Sequence, residues 1–389
     1  MLSEQEAAVY DRQIRVWGVE AQQRIGSARL LVIGMSAVMA ETCKNLVLAG
    51  VGSLTLLDAG LPPTQADLDS NFLLRFSSAV PPATAAAAGA AQVAAGGDAA
   101  AAGGDAAAAG GDGEGGERDG MSVAQACAKA LQDFNPFVTV KTVPGSLEAM
   151  AASPLKSLDL PMDDIDAVLL ARCDQHMQER VDAACRARQP APVAFFYMAV
   201  RGPCGRIIAD LSEHDCMYQK VEEHIALHIS YPPLKEVVST PWSKLPKYTP
   251  PSHFAFQAME DYEAREKRPV GQPYDEASVE GVLALAQDKG QGSPACHRLQ
   301  EPHVQRLIRL MAAAGASELP AVAAIVGGIA AQEVVRAISR KGQPMNNLFH
   351  FDSLSLNGVI SQVPPAPSPS TAAATVVDAP AANAVEEVM

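Results

Sequence analysis

The residues with the clearest chemical meaning are Gly34-Met35-Ser36-Ala37-Val38-Met39, which lie between an apolar run and a helical stretch. A turn that cradles phosphate in this position has the pattern Gly-x-Gly-x-x-Gly. Its glycines allow the tight turn, the close approach of phosphate and the packing of helix on strand. Only the first glycine is present here. Met39 puts a side chain where none should stand, and Ser36 narrows the approach. Asp58, 24 residues after Gly34, closes the next apolar run. Its carboxylate could accept from a ribose hydroxyl or cap the following turn, and the sequence leaves both readings open.

Thiol and metal chemistry find little support. The seven cysteines form no Cys-x-x-Cys pair, so neither a zinc site nor a disulfide framework is expected, and a reduced intracellular compartment is the simplest setting. Cys296 has His297 beside it, but neighbours on a helix do not face each other, and no nucleophile is expected there. Cys43, Cys127 and Cys185 fall within helical patterns and read as core or surface residues.

The elements that carry these residues follow from hydrophobic patterning. A helix is expected from Glu4 to Trp17 and beyond, then a buried strand over 28–33 and a helix over 37–49 closed by Gly50. A second strand over 52–58 completes a βαβ unit. After residue 120 come a helix over 123–134, an extended 139–143, and a strand and helix over 167–170 and 174–188. Two runs over 192–197 and 206–209 are joined by a short glycine-containing link and suit a hairpin. A helix over 319–338 follows. Its Gly327-Gly328 pair would let another backbone come close. Strands over 348–352 and 359–360 close the domain.

The domain plan is therefore a discontinuous one. Residues 1–76 form the N-terminal helix and first βαβ unit, and 77–120 form an insertion in which Gly-Gly-Asp recurs every seven residues between alanine runs. Small residues supply no apolar seam for a coiled coil, so disorder is expected for that insertion. Residues 121–221 continue the Rossmann-like domain, and 222–300, polar and dotted with proline, are expected to be an irregular excursion. Residues 301–362 complete the domain, and 363–389 are expected to be a disordered tail.

Charge and hydropathy exclude other classes. A net charge of −14 argues against a nucleic-acid surface, which needs a basic patch. The opening Ser3-Glu4-Gln5-Glu6 is unlike a secretory signal, and the apolar run from Pro320 to Ala331 is too short to span a bilayer. Neither nucleic acid nor membrane is expected as a partner.

The segment Tyr10-Asp11-Arg12-Gln13-Ile14-Arg15-Val16-Trp17-Gly18 resembles the N-terminal signature of the enzymes that activate ubiquitin and ubiquitin-like modifiers, the ThiF-type adenylation family. Lys44 to Gly52, Leu54 to Asp58 and Val326 to Val335 extend the resemblance. Asn346 to Asp352 and Asn357 to Ile360 are most similar to the small subunits of the SUMO-type members. The fold implied is α/β: a Rossmann-like, ThiF-type adenylation domain with a mainly parallel sheet, here pseudo-active.

In that family two adenylation-type domains pair and only one binds ATP. The resemblance implies that this chain is the non-catalytic half. Ser70, in Asp69-Ser70-Asn71-Phe72-Leu73, replaces the arginine that active members place on ATP. Asp174 matches a magnesium-binding position in unsuitable surroundings and serves equally well as a helix N-cap. The implied roles are then few. Arg12 reaches in trans to the phosphates of ATP held by the partner, whereas the residues alone favour Arg12 and Arg15 on the solvent face of an amphipathic helix. Asp58 is a vestigial nucleotide contact, and no metal ligand is assigned. ATP and Mg belong to the partner subunit, with none bound by this chain. The implied partners are the catalytic subunit of a SUMO-activating heterodimer and SUMO itself, and the expected location is the nucleus, with the cytoplasm also open. Three alternatives are kept: the equivalent subunit for the cullin modifier, a self-sufficient adenylating enzyme of the sulfur-carrier type, and a nicotinamide oxidoreductase.

Overall fold

The computed structural model describes residues 3–76, 121–145, 164–220, 223–246, 248–293, 295–315 and 317–365. The expected disorder of 77–120 and of nearly all of the tail lies outside them.

Strand β1 (Arg29–Ile33) shows why a sheet forms at all. Its residues are apolar in succession: Leu30 and Val32 point into one core, Leu31 and Ile33 into another, and all four are buried. A strand apolar on both sides can only be satisfied between two layers of helix, as parallel sheets require. β2 (Ser53–Asp58), β3 (Thr139–Pro144), β4 (Ala167–Leu170) and β5 (Ala194–Arg201) join it. They run parallel in the order β3-β2-β1-β4-β5. β6 (Cys204–Asp210), β9 (Leu348–Asp352) and β10 (Asn357–Ser361) extend the sheet in antiparallel fashion. β7 (Glu213–Lys220) and β8 (Glu223–Ser230) form a separate hairpin.

The Ala37–Ala49, Val123–Gln132 and Pro320–Ser339 helices cover one face; the Gln175–Ala187, Pro251–Glu266, Glu276–Gly290 and Pro302–Ala314 helices cover the other. The order of strands reverses between β1 and β4. In open α/β sheets the crevice outside the carboxyl ends of the strands at such a reversal is where ligands bind.

Three expectations need adjustment. The 222–300 excursion is not irregular: beyond β8 it contains the Leu234–Ser239, Pro251–Glu266 and Glu276–Gly290 helices, and these bury Phe254, Phe256, Met259, Val282 and Leu283. Pro251 stands in the first turn of its helix, where its missing N–H is no loss. Of the Gly327-Gly328 pair, only Gly327 permits a close approach. A Cβ there would lie 2.7 Å from Glu41 Cβ and 2.8 Å from the Val38 carbonyl, whereas Gly328 has nothing nearer than 3.9 Å. The apolar run from Pro320 belongs to a helix of 20 residues, long and apolar enough to cross a membrane by length and composition. Half of it is buried against the rest of the chain, chiefly the Ala37–Ala49 helix.

Candidate functional site

The N-terminal signature is a set of anchors that leaves one arginine free. The Tyr10 ring is buried over Gly50, where a Cβ would come within 2.4 Å of it, and its hydroxyl accepts a hydrogen bond from Asn135 Nδ2 at 2.8 Å. Gln13 Nε2 donates to the Leu48 carbonyl at 3.3 Å. Trp17 Nε1 donates to Gln22 Oε1 at 2.9 Å, and Gln22 in turn donates to the Ala49 carbonyl at 3.1 Å. Together these contacts dock the Asp11–Trp17 helix on the last turn of the Ala37–Ala49 helix, where unpaired carbonyls need donors.

Arg12 lies on the other side of this helix, exposed, and makes no ion pair or hydrogen bond among the described residues. Arg15 is held by Asp11 at 3.0 Å. Val16, one turn beyond Arg12, is 79% exposed, and Val9 on the preceding helix is 61% exposed.

Side chains of this chain engage the donors at the turn after β1. Gly34, at φ +84°, is required because a Cβ would meet the Ala171 carbonyl at 2.2 Å. Ser36 then acts as the N-cap of the Ala37–Ala49 helix, accepting the Met39 N–H at 3.3 Å. Met39 turns into the core and is fully buried. The remaining donors at this helix start are taken by Glu318. One of its carboxyl oxygens accepts the Val38 N–H at 2.8 Å, and the Ala37 N–H and Ser36 hydroxyl also bond to it. A helix N-terminus favours an anion because its N–H groups are unpaired and its dipole is positive. In this chain that anion is a carboxyl group delivered from 280 residues away. Burial raises the pKa of Glu318 above its ordinary value; Arg172 and these hydrogen bonds oppose the shift without cancelling it.

Below this seat a cavity of about 400 Å³ remains at the carboxyl ends of β1 and β2. Its wall is mostly apolar, with Ile33, Met35, Leu57, Leu61, Pro62 and Val123. Asp58 lines it as well, and its Oδ1 accepts the Gly60 N–H at 2.9 Å, so the turn-capping reading holds while the carboxylate also faces the cavity. Ser70 is turned back on its own helix, donating to the Ala66 carbonyl at 2.6 Å. Two arginines line this cavity: Arg172, whose Nη1 lies 2.5 Å from Asp67 Oδ1, and Arg201, which pairs with Glu263. Burial would raise the Asp67 carboxyl, but Arg172 and Thr64 outweigh it and hold the group below the usual carboxylate range.

The other sequence candidates stay outside the site. Asp174 is the N-cap of the Gln175–Ala187 helix, accepting the Met177 N–H at 2.7 Å. The Cys296 side chain lies outside the described residues. The six described thiols are all buried, and burial raises the pKa of each, which opposes thiolate formation. Among the described residues no group of three or more His, Cys, Asp or Glu could hold a metal ion. Sequence reasoning missed Glu318, Arg172 and Asp67. Only Glu318 left a local trace, as an acid just before the Leu319-Pro320 helix start.

Comparison with known proteins agrees with this architecture. The model of the ThiF family matches residues 10–92 and 117–373. The SUMO-activating enzyme subunit 1A of Arabidopsis thaliana is 33% identical, over 93% of this chain and 97% of that protein. The SUMO-activating enzyme subunit 1 of Homo sapiens is 29% identical, over 94% of this chain and 97% of that protein.

Proposed function

This chain belongs to the ThiF family, and from that premise we propose that it is the non-catalytic subunit of a SUMO-activating heterodimer. Its partner would adenylate the C-terminal glycine of SUMO with ATP and Mg and then form the thioester on its own cysteine. This chain would complete the partner's site and help to dock the modifier. The pairing would take place mainly in the nucleus.

The observation that carries this reading is the Glu318 carboxyl on the Ala37–Ala49 helix start. Triphosphate would bring its charge to a seat already filled by a carboxyl group, beside a loop whose second and third glycines are Ser36 and Met39. The residues present therefore do not fit ATP, and the nucleotide is assigned to the partner. Arg12 supports the same division of labour. Its charge is permanent, its donors are forked and no described residue engages them, so it would suit phosphates on the far side of an interface. The names of the relatives support SUMO over the cullin modifier.

The test is SUMO-dependent ATP:pyrophosphate exchange, measured for this chain, for its catalytic partner and for the mixture. Exchange should be high only in the mixture. Exchange by this chain alone would overturn the reading.

A further inference from the structure

We infer that Asn135 is a positioning residue for Arg12, acting through the hydroxyl of Tyr10. The inference rests on the reading above, that Arg12 serves the partner's ATP in trans.

A long side chain that works across an interface gains most when its backbone is fixed beforehand. Arg12 stands in the first turn of a helix of 7 residues, too short to hold its shape without packing. Tyr10 is the N-cap of that helix, and its carbonyl accepts the Ile14 N–H at 2.9 Å. The turn that carries Arg12 therefore goes where Tyr10 goes. The Tyr10 side chain is buried, packed on Gly50 and edge-to-face with Phe137, the ring centres 6.4 Å apart.

Asn135 locates the Tyr10 hydroxyl, and the orientation of its amide is set by groups that leave no choice. The Phe137 N–H can only donate, and it meets Oδ1 at 3.1 Å; the Val47 carbonyl can only accept, and it meets Nδ2 at 2.8 Å. The second hydrogen of Nδ2 is left for the Tyr10 hydroxyl oxygen, also at 2.8 Å. Asn135 is held in its turn. Gln132 Nε2 donates to the carbonyls of Asn135 at 3.3 Å and Val138 at 2.9 Å, and Gln132 Oε1 accepts the Val140 N–H at 3.0 Å. One buried amide thus joins the turn before β3, the end of the Ala37–Ala49 helix and the start of the helix that carries Arg12. By comparison, the Gln13 contact is exposed and longer, at 3.3 Å, and the Trp17 contact lies more than a turn beyond Arg12.

ATP:pyrophosphate exchange by the mixed full-length subunits tests this, with kcat and KM measured for Asn135→Ala, Tyr10→Phe, Arg12→Ala and the double variant Tyr10→Phe, Arg12→Ala. Tyr10→Phe severs the same bond while leaving Asn135 on Val47, so it decides the matter if Asn135→Ala does not fold. Each of these two variants should lower kcat by about fivefold to tenfold, with the KM for ATP within about twofold, as expected for a contact that matters only in the transition state. On top of Arg12→Ala, Tyr10→Phe should change kcat by less than about twofold, because the residue it positions is gone. A bond that served stability alone would lower kcat equally in both backgrounds. If Arg12→Ala leaves the rate unchanged, the trans reading falls and takes the inference with it. If Arg12→Ala lowers the rate while Tyr10→Phe matches the parent, or acts equally in both backgrounds, the inference alone fails.

Discussion

The carboxyl group of Glu318 accepts a hydrogen bond from the backbone N–H of Val38 at 2.8 Å, joining the end of one long connection to the start of the helix after β1. It fills, with the chain's own atoms, the position where a nucleotide-binding fold receives phosphate. Removing it should cost stability. Glu318→Ala leaves the N–H groups of Ala37 and Val38 and the Ser36 hydroxyl without this acceptor, and urea unfolding should show a loss of about 1–3 kcal/mol. An unchanged midpoint would mean that the seat is not closed by this contact.

Arg12 and Arg15 lie on one short helix and have different fates. Arg15 is tied to Asp11, and Arg12 makes no ion pair or hydrogen bond among the described residues. In exchange assays on the mixed subunits, Arg12→Ala should lower the rate by about tenfold to a hundredfold, in line with losing one charged donor to a transition state. Arg15→Ala should leave it within about twofold, since exposed ion pairs contribute little. Both variants should melt within a few degrees of the parent, because surface changes shift stability by about 0.5 kcal/mol. Equal effects on the rate would remove the assignment to Arg12.

Gly327 sets the spacing between the Pro320–Ser339 and Ala37–Ala49 helices. A Cβ at this position would press on the Val38 carbonyl at 2.8 Å. Gly327→Ala should therefore destabilise the fold by about 1–3 kcal/mol in spite of its better helix propensity. Gly328→Ala, which meets nothing closer than 3.9 Å, should be neutral or stabilising. Thermal melts of the two variants separate these outcomes.

Two buried groups give opposite dependences on pH. Burial lowers the pKa of His253 to about 3, with Arg206 and Lys289 adding to the shift. Its unfolded form takes up a proton near pH 6.5 and its folded form does not, so stability is present above that range and is lost as pH falls. The loss from this residue should be about 2 kcal/mol between pH 7 and pH 5. His253→Phe should flatten that part of the profile.

Asp182 acts in the other direction. Burial raises its pKa, and the facing Asp210 raises it further. The folded state then holds a proton that the unfolded state has released, so its contribution is fully present below the ordinary carboxylate range. It is lost as pH rises through the raised folded value. Asp182→Asn should be more stable relative to the parent at pH 9 than at pH 6. Urea midpoints at the two pH values give the sign directly.

The legible parts of the sequence were those set by local pattern. Leu30 to Ile33, apolar in succession, announced a strand buried on both faces. The loss of glycine at Ser36 and Met39 could be seen without coordinates. Glu318 could not be linked to Val38, because 280 residues of chain separate them and neither position is unusual by itself. Arg172 was hidden for a related reason. It adopts φ +55° just after β4, and only that backbone and the packing of the Gln65–Ser70 helix bring it to Asp67. Proline misled the reading of 222–300, since Pro251 starts a helix as readily as it breaks one.

The central claim is that ATP lies in the partner subunit and not in this chain. Equilibrium dialysis of the mixed heterodimer with Mg-ATP, combined with photolabelling by an azido-ATP, tests it most directly. The account predicts one ATP per heterodimer, with all label on the partner and less label when Arg12 is replaced by alanine. Two ATP per heterodimer, or label on the Gly34–Met39 turn of this chain, would contradict it.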